Sequence, residues 1–160
     1  MKYMSLSALI FVVAGLGSSA LAQGSARVVT VKSGEDAYKV KRGGSAQISV
    51  VIEINDGYHI NSNRPSDKNL IPTALKVEKA SGFSAGPVTY PKAKLQKFEF
   101  STKPLSVFEG KTVLKLNVRA MPAAPAGAQI LKGKLTVQAC NDQACLRPQT
   151  IDVSIPIQVE

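Results

Sequence analysis

The sequence predicts an all-β fold, an antiparallel β-sandwich, and three observations lead to this class. Apolar and polar residues alternate with a period of two, as in "SAQISVVIEI" (45–54), which is the pattern of a strand with one buried face. Turn-forming residues such as Asn55-Asp56-Gly57 separate the alternating stretches at short intervals. After the first 22 residues no segment has a convincing helical period, and several short strands at this spacing are typical of a sandwich.

The amino terminus predicts an export signal. Lys2 supplies a positive charge, residues 6–16 are an apolar run, and the small residues that end at Ala22 match a signal-peptidase site. Because crossing a membrane takes about 20 apolar residues, we expect a cleaved signal peptide over 1–22 and a single domain over 23–160. Export to the periplasm or beyond would place the chain in an oxidising compartment, where a disulfide forms and persists.

Seven strands are expected in order along this domain. Pro156 lies on the polar side of the last strand, and proline cannot donate to a sheet ladder, so we expect a sheet edge at that point. The expected ranges are 27–32, 45–54, 72–79, 86–90, 111–120, 129–139 and 150–160.

The basic charge does not point to nucleic acid. The formal net charge is +9, but the lysines and arginines are scattered from Arg27 to Arg147 and mostly alternate with apolar residues. Such scattering is typical of a solvated sheet face, and it leaves attraction to acidic partners open. The sequence also has no glycine loop that would cradle phosphate and no G-x-S-x-G motif of a serine hydrolase.

Both cysteines lie in "QACNDQACLRPQT" (138–150), with four residues between Cys140 and Cys145. Cys140 is in phase with the polar residues of the preceding strand, so we expect its sulfur to point away from the core, at an exposed strand end. A disulfide of the immunoglobulin type does the opposite, since it joins two sheets through the core across a long loop.

Three interpretations of the pair therefore remain open: a redox-active dithiol, a local structural staple and a metal clip. Closing so short a loop stabilises a fold by only about 2 kcal/mol, which a domain of this size does not need. Two thiolates supply half of a structural zinc site, and His59 is the only histidine that could join them. These arguments favour the redox-active pair over the staple, and the staple over the metal clip.

The segment "VQACNDQACLRPQTIDVSIPI" resembles the cysteine segment of the N-terminal periplasmic domain of DsbD, the thiol:disulfide interchange reductase. "NDGYHINSNRPSDKNLIPTALKVE" and "YPKAKLQKFEFSTKPLSVFEGKTVLKLNV" are similar to the polar loop and the cap region of that family. The resemblance extends over roughly residues 30–160. It implies an immunoglobulin-like antiparallel β-sandwich with a cysteine-bearing insertion.

The resemblance also implies site residues. On the family pattern Cys140 and Cys145 are the redox pair, and Phe98 or Phe100 is the aromatic residue that caps it. Tyr58 and His59 lie where the family places aromatic neighbours of the pair. His59 has a plainer interpretation as a hydrogen-bonded residue after a turn, and a sharper one as a group that manages protons beside the cysteines.

The implied activity is electron transfer without a cofactor, because the sulfurs themselves carry the electrons. Family members pass electrons from a membrane-embedded reductase, through a thioredoxin-like domain, to periplasmic thiol–disulfide proteins. The chain departs from the pattern in having four rather than five residues between the cysteines, and it contains neither of those other domains, so we expect a donor on a separate chain. The alternative function is a non-catalytic β-sandwich binding module with a local structural disulfide.

Overall fold

A computed structural model of the protein describes residues 24–34 and 36–160. The expected signal peptide, 1–22, lies outside the described residues. The part of the chain described contains twelve strands and one turn of 3-10 helix. The 3-10 turn is Ser25–Arg27, and the strands are β1 Val29–Lys32, β2 Tyr38–Val40, β3 Ser45–Ile54, β4 His59–Asn61, β5 Ala74–Val77, β6 Phe83–Ala85, β7 Lys94–Gln96, β8 Leu105–Glu109, β9 Lys111–Ala120, β10 Gly127–Val137, β11 Ala139–Cys140 and β12 Gln149–Val159.

The strands form three four-stranded sheets. The first sheet has the order β1-β3-β9-β6, the second β2-β12-β10-β5 and the third β11-β4-β8-β7. Neighbouring strands are antiparallel in every pair except β2 and β12, which run parallel. The first two sheets contribute their inner faces to one core, and the predicted all-β sandwich is therefore confirmed, with one parallel pair added.

The main core is built from alternate residues of the four longest strands. In β3, Ile48, Val50 and Ile52 are completely buried, while the residues between them are only partly covered. Burying a side chain of this size contributes about 2 kcal/mol, and a slip of one residue would turn the whole set outward. The alternation therefore fixes the register. The other large, fully buried members of the main core are Ile60, Leu114, Val118, Leu135, Val137, Ile155 and Ile157.

One expected strand is wrong. The sequence indicated a strand over 86–90, but the strand of this region is β6 and ends at Ala85. Farther along, Thr89 makes only an isolated bridge to Lys115. The physical reason is Pro87, which has no N–H to donate to a ladder and stops β6 from continuing.

The expected sheet edge at Pro156 agrees with the register. Pro156 lies opposite Ile130 of β10 on one side. On the other side, β2 pairs with β12 only from Ile157 onward. The proline thus lies just outside the parallel ladder, where its missing N–H does no harm.

The third sheet joins the sandwich through one of its faces. Ala139, Ile60 and Phe108 lie opposite one another in β11, β4 and β8, and all three pack into the main core. The chain passes from β10 of the second sheet to β11 of the third at Gln138. The third sheet is therefore the cysteine-bearing insertion, and its other face carries the candidate site.

Candidate thiol–disulfide site

The two cysteines are bonded to each other, with Cys140 Sγ and Cys145 Sγ 2.05 Å apart. They face each other across a tight hairpin, residues 139–146, which we call the cysteine hairpin. Leu146 N donates to the carbonyl of Ala139 at 2.8 Å, which leaves the cysteines as a non-hydrogen-bonded antiparallel pair. Side chains approach each other most closely at such pairs, and the two cysteine Cα atoms are only 3.9 Å apart.

The tip of the hairpin is a turn organised by Asn141. Its side-chain Oδ1 accepts hydrogen bonds from the backbone N–H groups of Gln143 and Ala144, at 3.0 and 2.8 Å. Its backbone N–H donates to the Ala144 carbonyl at 3.0 Å. An asparagine that bonds to the backbone two residues ahead of it is a common turn former.

A row of three residues crosses the outer face of the third sheet. Cys140 lies opposite His59, and His59 lies opposite Glu109. Because directly opposed residues of antiparallel strands share a face, these side chains are neighbours. The face they share is the one turned away from Ala139, Ile60 and the main core.

The expected exposure of Cys140 is wrong. The residue is 0% exposed, and Cys145 is half-buried. The predicted direction agrees with the structure, because Cys140 lies outside the main core. What the alternation missed is a second layer over this face: Phe98, Leu105 and Val107 form a small outer cluster there, with Leu70 packed against it. We call this the outer cluster.

Three rings stack outward from the row. The His59 and Phe98 rings have centroids 3.9 Å apart and planes 17° from parallel. Phe98 in turn stacks on Phe100 at 5.6 Å and 15°. Phe98 is 4% exposed and Phe100 is 38% exposed. Phe98 therefore covers the cross-strand neighbour of Cys140, and Phe100 lies one ring farther out.

His59 is buried and its Nε2 atom has no hydrogen-bond partner. Burial lowers the pKa of the His59 imidazole below its ordinary value of 6.5, while the carboxylates of Glu109 and Asp142 act in the opposite direction. Because desolvation is the largest of these influences, the ring is neutral at pH 7. A neutral imidazole with an unpaired nitrogen is able to accept a proton from a thiol.

A depression of about 340 Å³ lies beside the row, and it is lined by His59, Phe98, Glu109, Asp142 and Tyr58, among others. Tyr58 also packs against the main core. Four of the six residues expected at the site, Cys140, Cys145, His59 and Phe98, thus lie on or above one face of the third sheet. No sequence pattern marks Glu109 as a site residue, because only the pairing of β4 with β8 brings it beside His59.

The sequence also gave no indication of Ser25. This buried residue is the third after the expected signal peptide, and its hydroxyl bonds to Ala139 in the cysteine hairpin and to Arg147, which directly follows the hairpin. Serine is common near surfaces and turns, and no pattern around position 25 marks it as a contact of residues more than a hundred positions away.

The described residues contain neither a metal-binding cluster nor a membrane-spanning helix. Among them there is no group of three or more histidine, cysteine, aspartate and glutamate side chains placed to hold a metal ion. Within the same residues, no helix has the length and apolar character needed to cross a membrane. Both sulfurs are held in the disulfide, and metals bind the thiolate form of cysteine.

Comparisons with known proteins agree with this architecture. A family profile described as the N-terminal region of the thiol:disulfide interchange protein DsbD matches residues 27–156. Among solved structures, the chain is similar to the reduced N-terminal domain of DsbD from Neisseria meningitidis, at 18% identity and a TM-score of 0.51, over 84% of this chain and 89% of that one. The comparison with curated proteins gives no significant match.

A second solved structure has the same TM-score at a lower sequence identity. The N-terminal periplasmic domain of ScsB from Proteus mirabilis is 12% identical, with a TM-score of 0.51, over 81% of this chain. This chain spans 45% of the length of that one. Likeness at these identities concerns the fold, and it confirms the predicted immunoglobulin-like sandwich with its cysteine-bearing insertion.

Proposed function

Because the chain belongs to the family of N-terminal domains of the thiol:disulfide interchange protein DsbD, we propose that it passes electrons through a Cys140–Cys145 dithiol/disulfide couple. Thiol–disulfide exchange in general is what membership of this family supports. The observation that carries the proposal is the position of the disulfide, which lies outside the main core on the outer face of the third sheet. A bond there does not join the two sheets of the sandwich, so it can open and close without separating them.

The exchange proceeds in two steps that balance. In the first step a thiolate of the reduced pair attacks a disulfide of a client protein, forming a mixed disulfide and releasing one client thiolate, which takes up a proton. In the second step the other cysteine loses its proton and attacks the mixed disulfide. The Cys140–Cys145 bond forms, and the client leaves with two electrons and two protons as a dithiol.

We assign the first attack to Cys145. It is half-buried, whereas Cys140 is completely buried, and a client sulfur must approach its attacker from solvent. The neutral imidazole of His59, opposite Cys140, supports a role in accepting the Cys140 proton during the second step. Phe98, stacked on that imidazole, is the proposed cap, and Phe100 supports it from outside.

The partners follow from the family. We propose that the electron donor is a thioredoxin-like or membrane-embedded thiol reductase and that the clients are periplasmic thiol–disulfide proteins. The periplasm is the proposed compartment, and the signal peptide at 1–22 is removed on export. The scheme uses no cofactor, because the electrons reside in the sulfurs.

One observation favours a second candidate, a non-catalytic β-sandwich binding module in which the disulfide is a staple. It is the complete burial of Cys140, which is more typical of an inert cysteine than of a reactive one. The two functions differ in the reduction potential that they require.

The reduction potential of the Cys140–Cys145 couple tests the proposal. The purified protein is equilibrated in graded thiol–disulfide buffers, and the reduced fraction is measured by trapping free thiols. An exchange domain requires a value between about −270 and −120 mV, the range of known exchange proteins, with the fold intact in both states. A value below about −300 mV, or unfolding on reduction, would show that the disulfide is a structural staple.

A further inference from the structure

The open end of the cysteine hairpin is closed by a segment from the other end of the chain, residues 24–27, which we call the N-terminal strap. The Ser25 hydroxyl donates to the Arg147 carbonyl at 2.7 Å and accepts from the Ala139 N–H at 2.9 Å. The Ser25 N–H also donates to the Arg147 carbonyl, at 3.1 Å. One completely buried serine thus bonds to Ala139 in the first arm of the hairpin and to Arg147, the residue that directly follows the second arm.

The serine hydroxyl takes the place of a ladder bond. Leu146 N donates to the carbonyl of Ala139, and in a regular antiparallel ladder the Ala139 N–H would return that bond to Leu146. Here it donates to Ser25 Oγ instead. On the side of the disulfide away from the turn, one backbone hydrogen bond therefore joins the two strands. The bridge through Ser25 replaces the second backbone hydrogen bond of a regular ladder.

The N-terminal strap packs closely against Arg147 and Gln149. Gly24 forms a parallel bridge with Arg147, and a Cβ atom at Gly24 would lie 2.3 Å from the side-chain amide of Gln149. That amide is itself engaged, since its Oε1 accepts from the Ala26 N–H at 2.6 Å. A side chain at position 24 would displace the Gln149 amide and with it the acceptor of the Ala26 N–H.

We propose that Ser25 is a positioning residue that holds the two thiols together when the disulfide is reduced. Reduction removes the covalent link between Cys140 and Cys145, and the arms are then joined behind them by the Leu146 bond and the Ser25 bridge. The closer the two sulfurs are held, the higher their effective concentration and the more readily the disulfide forms again. The inference rests on the proposed function in one respect: holding the two thiols together matters only if the Cys140–Cys145 couple is repeatedly oxidised and reduced.

The experiment compares Ser25→Ala with the unchanged protein. The equilibrium constant for forming the Cys140–Cys145 disulfide is measured against glutathione, together with the thermal midpoint of the oxidised and of the reduced form. We expect the constant to fall about tenfold, which for a two-electron couple raises the reduction potential by about 30 mV. Destabilisation alone would lower both thermal midpoints and leave the constant unchanged.

Ser62→Ala is the matched control. Ser62 is also buried, and its hydroxyl pairs with the Ser106 hydroxyl at 2.8 Å and accepts from the Arg64 N–H at 3.1 Å. It is a neighbour of the third sheet and makes no bond to the cysteine hairpin, so its removal is expected to lower stability without moving the constant. An equal shift in both serine variants would contradict a specific role for Ser25.

Gly24→Ala provides a second route if Ser25→Ala does not fold. It keeps the serine hydroxyl but forces the Gln149 side chain aside, which removes the hydrogen bond from the Ala26 N–H that helps to hold the strap, and we expect the constant to fall in the same direction. An unchanged constant in both strap variants would overturn the inference. The proposed function fails separately, since a reduction potential of the unchanged protein below the range of exchange proteins would refute it while leaving the comparison of variants valid.

Discussion

The imidazole of His59 lies face to face with the ring of Phe98, with centroids 3.9 Å apart, and its backbone is paired with that of Cys140. The stack is the inner part of a layer that covers the outer face of the third sheet. This arrangement links the fold to the proposed chemistry, because the only histidine of the chain is held between the aromatic cap and the strand that carries a cysteine.

Replacing Phe98 should open this face. Phe98→Ala is expected to lower the free energy of unfolding by about 3 kcal/mol, the lower end of the range for a buried phenylalanine, because the outer cluster is small. The reduced cysteines should also react faster with iodoacetamide under native conditions. Both quantities are measured directly, by urea unfolding and by the rate of alkylation.

Phe100→Ala is the control for that variant. Phe100 stacks on Phe98 from outside and is more than a third exposed, so we expect a stability loss within about 1 kcal/mol and a smaller change in alkylation rate. Faster alkylation in Phe100→Ala than in Phe98→Ala would show that Phe100, rather than Phe98, is the cap.

The contrast between these two phenylalanines also shows what the sequence could predict. Strict alternation, as at Ile48, Val50 and Ile52, predicts both a strand and its buried face, and the structure confirms both. The three residues of β4, His59, Ile60 and Asn61, are all buried because both faces of the third sheet are covered, and three residues are too few to establish a period of two. Short strands that are covered on both sides were therefore missed.

The site was predictable only in part for the same reason. The phase of Cys140 correctly indicated that it faces away from the main core, but the phase of a residue does not say whether a second layer covers it. The outer cluster is assembled from Phe98, Leu105 and Val107, which reach this face through the pairing of β7 and β8. Long-range pairing of this kind, like the contact of Ser25 with the hairpin, is set by tertiary structure rather than by local pattern.

The burial of His59 should make stability depend on pH. Its pKa is lowered in the folded protein, so below about pH 6.5 the unfolded chain binds a proton that the folded chain does not. Stability is fully present above that pH and is lost as the pH falls toward the folded pKa. We expect urea midpoints between pH 8 and pH 5 to show this loss.

His59→Phe isolates that contribution. The substituted ring can still stack on Phe98, but it does not titrate, so the loss between pH 8 and pH 5 should shrink relative to the unchanged protein. Carboxylates contribute to acid destabilisation in both proteins and cancel in the difference. Parallel pH profiles of the two proteins would show that His59 titrates alike in the folded and unfolded chains.

Glu109 should raise the pKa of His59, and its removal should lower it further. Of the two carboxylates that act on the ring, Glu109 has the larger influence and Asp142 the smaller. Glu109→Gln is therefore expected to move the midpoint of the His59 titration to lower pH by more than Asp142→Asn does. Since the chain has one histidine, a single imidazole proton resonance reports the midpoint in NMR spectra.

A remote carboxylate serves as the control for that titration. Asp152→Asn removes the partner of Lys134 in an exposed ion pair of the second sheet, at 3.0 Å, and should leave the His59 midpoint unchanged. Glu109 also pairs with Lys94 at 3.1 Å, but exposed pairs of this kind contribute at most about 1 kcal/mol. If Glu109→Gln shifts the midpoint of the His59 titration no more than Asp152→Asn does, Glu109 does not act on His59.

The two cysteines should differ in reactivity when each is left alone. Cys140→Ser leaves the half-buried Cys145, and Cys145→Ser leaves the completely buried Cys140. Loss of the disulfide should cost each variant about 2 kcal/mol of stability, because the loop is short. Because Cys145 is the more accessible of the two, an aromatic disulfide probe should react faster with the lone Cys145 than with the lone Cys140. Both proteins should stay folded. Faster reaction at Cys140 would reverse the proposed order of attack, and loss of the fold in either variant would favour the structural staple.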